Sequence, residues 1–498
     1  MTVAHSTTAC SRSQTSVPVF LTLSFFALAS GVLIAEGGPT VGIATSALLL
    51  GAVALLIPIT WMFWLLALTT FLFSGPVQYF GHIQKAFWIP YLLGLLLLLK
   101  SMVEILFART SHETTPRRNH APGVVIVFIL YILALCSSTI FNLAPLFQVL
   151  LSSKEYFFLL GAGLAVYWGL VSPVQVDRLL RHSHWFLIAQ LPVILYQRFV
   201  IAARRTGDSS WDSVVGLMSG DPEGGGASAS MALLVLLVMT FHLAAWRTGT
   251  CRTPKLLLVL LLGLTSIMLA EVKFAIILLP MAFGLVYLRE IIRRPVLGAV
   301  VLTTTLALTV MILVAYQAQF SAKHTKSSRS VADYVDVVIE RNTGYDSVNM
   351  ATGEMGRVAS LTFWWENHGA DNPVHFFLGH GIGASRIGVV SGEVARRYPF
   401  KLSRSTLSAL LWEGGLIAAI AALSLLGLGA IKGFSRARQE NSHAQQATLK
   451  TSAIGLVLAL TMMPYGPDIL YVSQAQLLVI LMAARILAPA MDPKAVPA

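Results

Sequence analysis

The chain has 498 residues, of which 56% are hydrophobic and only 12% charged, with a mean hydropathy of +0.72. So few charges cannot cover a water-soluble domain of this length, which excludes a soluble enzyme and points to a polytopic membrane protein. The formal net charge of +12 suggests nucleic acid only until the charges are placed along the chain.

A membrane-crossing helix needs roughly 20 apolar residues. In chain order the candidate spans are 17–35, 40–57, 59–74, 87–107, 122–141, 156–171, 183–200, 227–246, 254–270, 274–289, 296–316, 405–431, 449–464 and 469–488. The third, sixth and tenth are short, so the expectation is an all-α membrane protein of about 12–14 spans. Arg109, Arg117 and Arg118 follow the fourth span; Arg178 and Arg181 follow the sixth. Arg247, Arg252 and Lys255 follow the eighth, and Arg289, Arg293 and Arg294 the tenth. Lys432, Arg436, Arg438 and Lys450 follow the twelfth. These are alternate loops, so the positive-inside rule predicts that both termini are cytoplasmic. The basic residues then face anionic headgroups, and membrane lipid replaces nucleic acid as the expected partner.

The complementary loops, 75–86, 142–155, 201–226 and 317–404, are expected outside the cytoplasm. Cys10, Cys136 and Cys251 fall in none of them, so neither a disulfide framework nor a cysteine metal site is expected. The first span reads as an uncleaved anchor, because the chain runs on into further spans. No internal repeat is present. The organisation predicted is transmembrane helices over 1–316, one large outer loop over 317–404, and transmembrane helices over 405–498.

Within the loop, Val331, Tyr334, Val335, Val338 and Ile339 recur at helical spacing behind Ser330, which predicts a short amphipathic surface helix. A second helix is predicted from about Arg357 to Glu366, ended by Asn372-Pro373. Gly379, Gly381 and Gly383 then form a turn where backbone approaches a partner closely. That turn lacks the preceding strand of a dinucleotide fingerprint.

Four arginines stand at outer ends of spans or in the loop: Arg204, Arg205, Arg357 and Arg404. A guanidinium stays charged and presents a planar fork to phosphate oxygens, so this set suits either a diphosphate or lipid headgroups. The outer loops hold no HExxH, no paired cysteines and no DxD-like cluster, so fixed cations rather than a metal or cofactor are expected to neutralise a leaving diphosphate. Glu413 lies two turns inside the twelfth span, where an ionisable group is either ion-paired, with Arg404 for instance, or functional. Of His368, His375 and His380, each a possible general base, His380 sits inside the glycine turn. Trp364 and Trp365 suit either stacking on sugar rings or anchoring at the interface. Glu271 and Lys273 read as a local pair in a tight turn.

The succession Arg357, Phe363-Trp364, Pro373 and Leu378-Gly379-His380-Gly381-Ile382-Gly383 resembles the large periplasmic loop of the O-antigen ligase and Wzy-type O-antigen polymerase superfamily. Arg404-Ser405-Thr406-Leu407 running to Glu413-Gly414-Gly415-Leu416 resembles the helix that follows it. In the preceding outer loop, Arg205, ten residues and Gly216 match the Arg-x10-Gly pattern of the polymerases, while Arg357 to Gly369 is one residue longer. The resemblance covers 197–230 and 354–416, and elsewhere amounts to hydropathy. One position departs: Arg404 stands where the family carries histidine nine residues before the glutamate.

The resemblance implies a GT-C-like membrane glycosyltransferase of the bacterial inner membrane, with the loop periplasmic. Its donor would be a glycan on undecaprenyl pyrophosphate and its acceptor a second glycan, with a flippase and a chain-length regulator as partners. It implies catalytic roles for Arg357, Arg404, Glu413 and His380. Substrate contacts fall to Arg204, Arg205, Gly216, Trp364, Gly379, Gly381 and Gly383. Arg404 and the Arg-x10-Gly spacing favour polymerase over the alternative, a ligase that transfers polymer to a lipid A-core acceptor. A polysaccharide or lipid transporter is the third reading, although no repeat symmetry supports it.

Overall fold

A computed structural model describes residues 56–108, 122–204, 213–223, 226–323, 348–349, 353–368, 372–388 and 390–489. The chain divides into two compact units, Met1–Met62 and Phe63–Ala498. The first two expected spans and the amphipathic segment 331–339 lie outside the described residues, apart from 56–57.

Seven helices among the described residues are long and apolar enough to cross a membrane. The first six are Ile59–Gly81, Gln84–Leu106, Pro122–Phe141 (α1), Leu146–Tyr167 (α2), His184–Arg204 (α3) and Ser228–Arg247 (α4). Two short loop helices follow, Arg357–His368 (α5) and Pro373–Leu378 (α6), and then the seventh long helix, Thr406–Gln439 (α7). His443–Met462 (α8) packs along α7, and Ser473–Leu487 (α9) is one of four shorter apolar helices, with Thr253–Leu269, Ala275–Val286 and Gly298–Val314. The chain is thus a multi-pass, all-α membrane protein. The only extended pairing described is a two-residue antiparallel ladder, Val348–Asn349 with Glu354–Met355.

The helices solve the backbone problem of an apolar solvent internally, and their polar side chains do the same. Thr240, in the fully buried stretch of α4, donates to the Leu236 carbonyl one turn back at 2.6 Å. At helix ends the cations of the basic loops cap carbonyls that have no helical partner. Arg247 and Lys450 both donate to the Val286 carbonyl, and Arg436 donates to those of Ile486 and Ala488.

Three spans carry a π-turn: Thr69–Phe73, Lys154–Phe158 in α2, and Gln197–Ile201 in α3. A π-turn inserts one residue into the helical register and so directs more side chains to one side. In α2 it leaves the consecutive Lys154, Glu155 and Tyr156 all buried. α7 opens with a reciprocal cap between Ser405 and Ser408, and it kinks at Gly415, whose φ of +67° and ψ of −169° are not helical. A Cβ at that position would stand 2.3 Å from the Phe377 carbonyl oxygen, so both the conformation and the space require glycine.

Asp177 and Arg485 form a bidentate buried pair at 2.6 and 3.1 Å. Arg485→Met leaves the Asp177 carboxylate unpaired in the interior and is expected to cost about 3–5 kcal/mol. Thermal unfolding in detergent checks this, with the double variant Asp177→Leu/Arg485→Met expected to recover most of the loss.

Candidate functional site

The glycine turn has three left-handed residues, Gly379, Gly381 and Gly383, with φ of +68°, +90° and +79°. This is the geometry for which glycine carries no penalty. The turn lies against α7 just before the kink. His380 N–H donates to the Trp412 carbonyl and Gly381 N–H to that of Glu413, both at 2.9 Å. α1 supplies the other wall. Ser138 donates to the Glu413 carbonyl at 2.7 Å, and the Asn142 amide donates to Ser138 O and Gly379 O at 2.8 and 3.0 Å.

Glu413 closes this assembly with its side chain. Oε2 accepts the Tyr156 hydroxyl and the Gly383 N–H, each at 2.6 Å, and Oε1 accepts the Ser385 hydroxyl at 2.7 Å. The residue is 1% exposed, and no ion pair reaches it among the described residues. The sequence left open a pair with Arg404; the structure instead gives Glu413 three neutral donors. Next to it, Glu155 Oε1 receives both Lys154 Nζ at 2.8 Å and Arg386 Nη1 at 2.9 Å, so the far end of the turn is tied to the π-turn of α2.

The three loop histidines converge on the turn. His368 Nδ1 donates to the Trp364 carbonyl at 3.0 Å, and His368 Nε2 lies 2.7 Å from His380 Nε2. His375 stacks on His380 with centroids 4.2 Å apart, and its Nε2 donates to Asn142 Oδ1 at 3.0 Å. The Asn142 amide orientation is fixed by the two carbonyls that its nitrogen serves. Burial, then the charges of His375, His368 and Arg397, lower His380 from the usual 6.5 to about 3. His375 and His368 are lowered too, again chiefly by burial.

Arg357 belongs to a second centre. It is the first residue of α5, its Nε donates to the Tyr465 carbonyl, and its guanidinium sits 4.0 Å above the Tyr465 ring. That ring stacks in turn on Phe274 at 3.8 Å. The same connection, 463–468, receives the start of α7. Thr406 N–H and Oγ1 donate to Gly466 O at 2.9 and 3.0 Å, and Leu407 N–H donates to Met463 O. Arg404, two residues before Thr406, is half-buried. Asp468 ends the connection and accepts the Ser230 hydroxyl at 3.0 Å. Burial raises its carboxyl above the ordinary range, and the Ser230 bond and the Arg357 charge act in the opposite direction. Sequence reasoning did not single out Asp468. The available signal was a carboxylate after Pro464-Tyr465-Gly466-Pro467, at the edge of an apolar segment.

The two centres are distinct. Arg357 and His368 are the first and last of the 12 residues of α5, and about 16 Å of helix axis separates them. The other residues singled out in the sequence divide further. Gly216, at φ +62°, is clasped by glutamines of α3: Gln197 Oε1 accepts Val215 N–H and Gly216 N–H at 3.0 and 2.6 Å, and Gln190 Oε1 accepts Leu217 N–H at 2.8 Å. Arg204 is exposed at the end of α3, and Arg205 lies outside the described residues. Trp364 is a core residue, 3% exposed and packed on Phe376 and His368, whereas Trp365 is 61% exposed. Asn372 does more than end α5: its side chain caps α6 by accepting His375 N–H. Glu271 pairs with Arg198 of α3 at 2.7 Å.

No protein-family model matches the sequence, and no characterised protein does. The family resemblance rests on the motif residues themselves.

Replacing Glu413 by Gln puts an N–H donor among three donors and is expected to destabilise the protein by about 2–3 kcal/mol, against about 1.5 for Tyr156→Phe, which leaves the carboxylate two donors. Hydrogen exchange should show 379–386 losing protection in Glu413→Gln while the distant Asp177 region keeps it.

Proposed function

We propose that the chain is a bacterial inner-membrane glycosyltransferase of the Wzy type, which polymerises oligosaccharide repeats carried on undecaprenyl pyrophosphate into a surface polysaccharide. The observation that carries this reading is the meeting of Arg357, the Arg404–Thr406 entry to α7 and buried Asp468 on the single connection 463–468. A lipid diphosphate is a doubly charged headgroup on an apolar tail. It calls for fixed cations at the end of a helical bundle, with apolar helix faces beside them for the tail. Arg357 is preorganised for that task, because the Tyr465 ring and carbonyl hold its guanidinium before any ligand arrives.

In this reading the loop 317–404 faces the periplasm and both termini face the cytoplasm. Donor diphosphate meets Arg357 and Arg404, with Arg205 as a further cation. The acceptor hydroxyl oxygen attacks the anomeric carbon, and the bond from that carbon to the diphosphate oxygen breaks with its electrons on the diphosphate. Asp468 takes the hydroxyl proton; a carboxyl raised by burial is a better base than an exposed one. A single displacement inverts configuration at the anomeric carbon. Glu413 acts at a distance, by holding the glycine turn on α7. A flippase that delivers the repeat and a chain-length regulator are the expected partners.

Arg357→Ala should lower polymer formation about two to three decades without removing the protein from the membrane. Arg357→Lys should rescue poorly, since a point charge does not reproduce the guanidinium fork. Cells lacking the protein should carry single repeats in place of long chains; full-length polymer still attached to undecaprenyl pyrophosphate would instead identify a ligase. Wild-type polymer levels in Arg357→Ala would reduce this arginine to a headgroup anchor.

A further inference from the structure

The hydrogen bonds of the histidine group fix where its protons are. The Trp364 carbonyl only accepts, so His368 carries its proton on Nδ1 and offers a lone pair at Nε2. The 2.7 Å contact between the two Nε2 atoms holds one proton, which therefore belongs to His380. His380 is left with an unprotonated Nδ1, and that atom makes no hydrogen bond among the described residues. The ring is half-buried and held on one side by the parallel His375 ring, so it cannot turn to find a partner without giving up both contacts.

An imidazole lone pair locked in this way accepts from a neutral donor. Its surroundings select the kind of donor. Trp365 and Phe377 are exposed on α5 and α6, at 61% and 47%, and Trp365 meets Phe376 edge-on at 5.7 Å. Exposed aromatic rings on the same two helices that carry His368 and His375, together with a hydroxyl-accepting nitrogen, suit sugars, which present C–H faces and O–H edges together. The distance to Arg357 sets which sugar. With about 16 Å of helix axis between the centres, a ring seated at His380 is several glycosidic linkages from a diphosphate at Arg357.

Resting on the glycosyltransferase reading, we infer that His380 Nδ1, with Trp365 and Phe377, forms a glycan subsite that takes a sugar hydroxyl remote from the diphosphate, and that His368 is its positioning residue. The subsite measures the length of the bound glycan and contributes binding without chemistry. The charged and titratable groups around His380 are His368 of α5, His375 of α6, and Arg397 with its partner Glu393. Burial, then His375, His368 and Arg397, lower the ring from its usual 6.5 to about 3, so acceptance by Nδ1 persists between pH 5 and 8. A histidine of ordinary basicity would lose this acceptor below pH 6.5.

The test uses purified full-length protein in detergent and three probes: farnesyl diphosphate, a lipid diphosphate carrying one sugar, and native lipid-linked repeats extracted from source cells lacking the protein. His380→Ala should weaken binding of the complete repeats about tenfold and leave the two shorter probes unchanged, with wild-type affinity for the repeats flat between pH 5 and 8. His368→Ala, which frees the His380 tautomer, should show a smaller loss than His380→Ala. Because His368 is a core residue, His368→Gln serves as the second variant; it restores an acceptor opposite His380 Nε2 and should recover most of the affinity. Equal weakening of all three probes by His380→Ala, or unchanged binding of the repeats, would overturn the subsite. Failure of the wild-type protein to bind any of the three would overturn the glycosyltransferase reading itself.

Discussion

A single carboxylate organises the polar end of this molecule. Glu413 is buried two turns into α7, where an uncompensated charge is among the most expensive things a protein can hold. It is retained because three donors from two other parts of the chain converge on it: Tyr156 from α2, and Gly383 and Ser385 from the loop. Each of those donors exists only because of a local device. The π-turn of α2 brings Tyr156 inward, and the left-handed glycines let the loop backbone reach the helix. The Gly415 kink makes room for Phe377 and Gly379. Removing the carboxylate undoes the reason for all three.

Much of this was legible in the sequence, though not its purpose. Apolar runs located each described long helix at least in part, since length and hydropathy decide much of what lies in a bilayer; an exception is 146–155, expected in an outer loop but forming the first half of the helix Leu146–Tyr167. The glycines announced a turn with close backbone approach, and the turn has that geometry. The partner of the turn was hidden, because Glu413 is thirty residues away from Gly383 and Tyr156 is further still. A π-turn likewise leaves no mark in composition; Lys154 and Glu155 read as the end of an outer loop and Tyr156 as the start of a span, yet all three lie inside one helix, where the register shift turns them inward. Trp364 and Trp365 read alike from the sequence, as sugar-stacking or interfacial rings, yet Trp364 is buried and Trp365 exposed. One residue on a helix turns a side chain by about 100°, and nothing in the local sequence sets that phase.

The separation between the arginine centre and the histidine centre also escapes a linear reading, which places Arg357 and His380 in one motif. α5 sets Arg357 at one end and His368, the partner of His380, at the other. A substrate made of a charged headgroup followed by a chain of neutral sugars has the same polarity: cations suit one end, and neutral acceptors with aromatic rings suit the other. The histidine group sits where burial disfavours charge: His368, His375 and His380 are all lowered, chiefly by burial, and His380 furthest. The connection 463–468 is not built to be neutral, since it joins Arg357 to buried Asp468.

Photo-crosslinking with a polyprenyl diphosphate that carries a photoreactive group next to the diphosphate tests the central claim most directly. The account predicts labelled peptides from the start of α5 and from 463–468, with labelling competed by unmodified lipid diphosphate and lost in Arg357→Ala. Labelling confined to the opposite cationic cluster, at Arg247, Arg436 and Lys450, would contradict it.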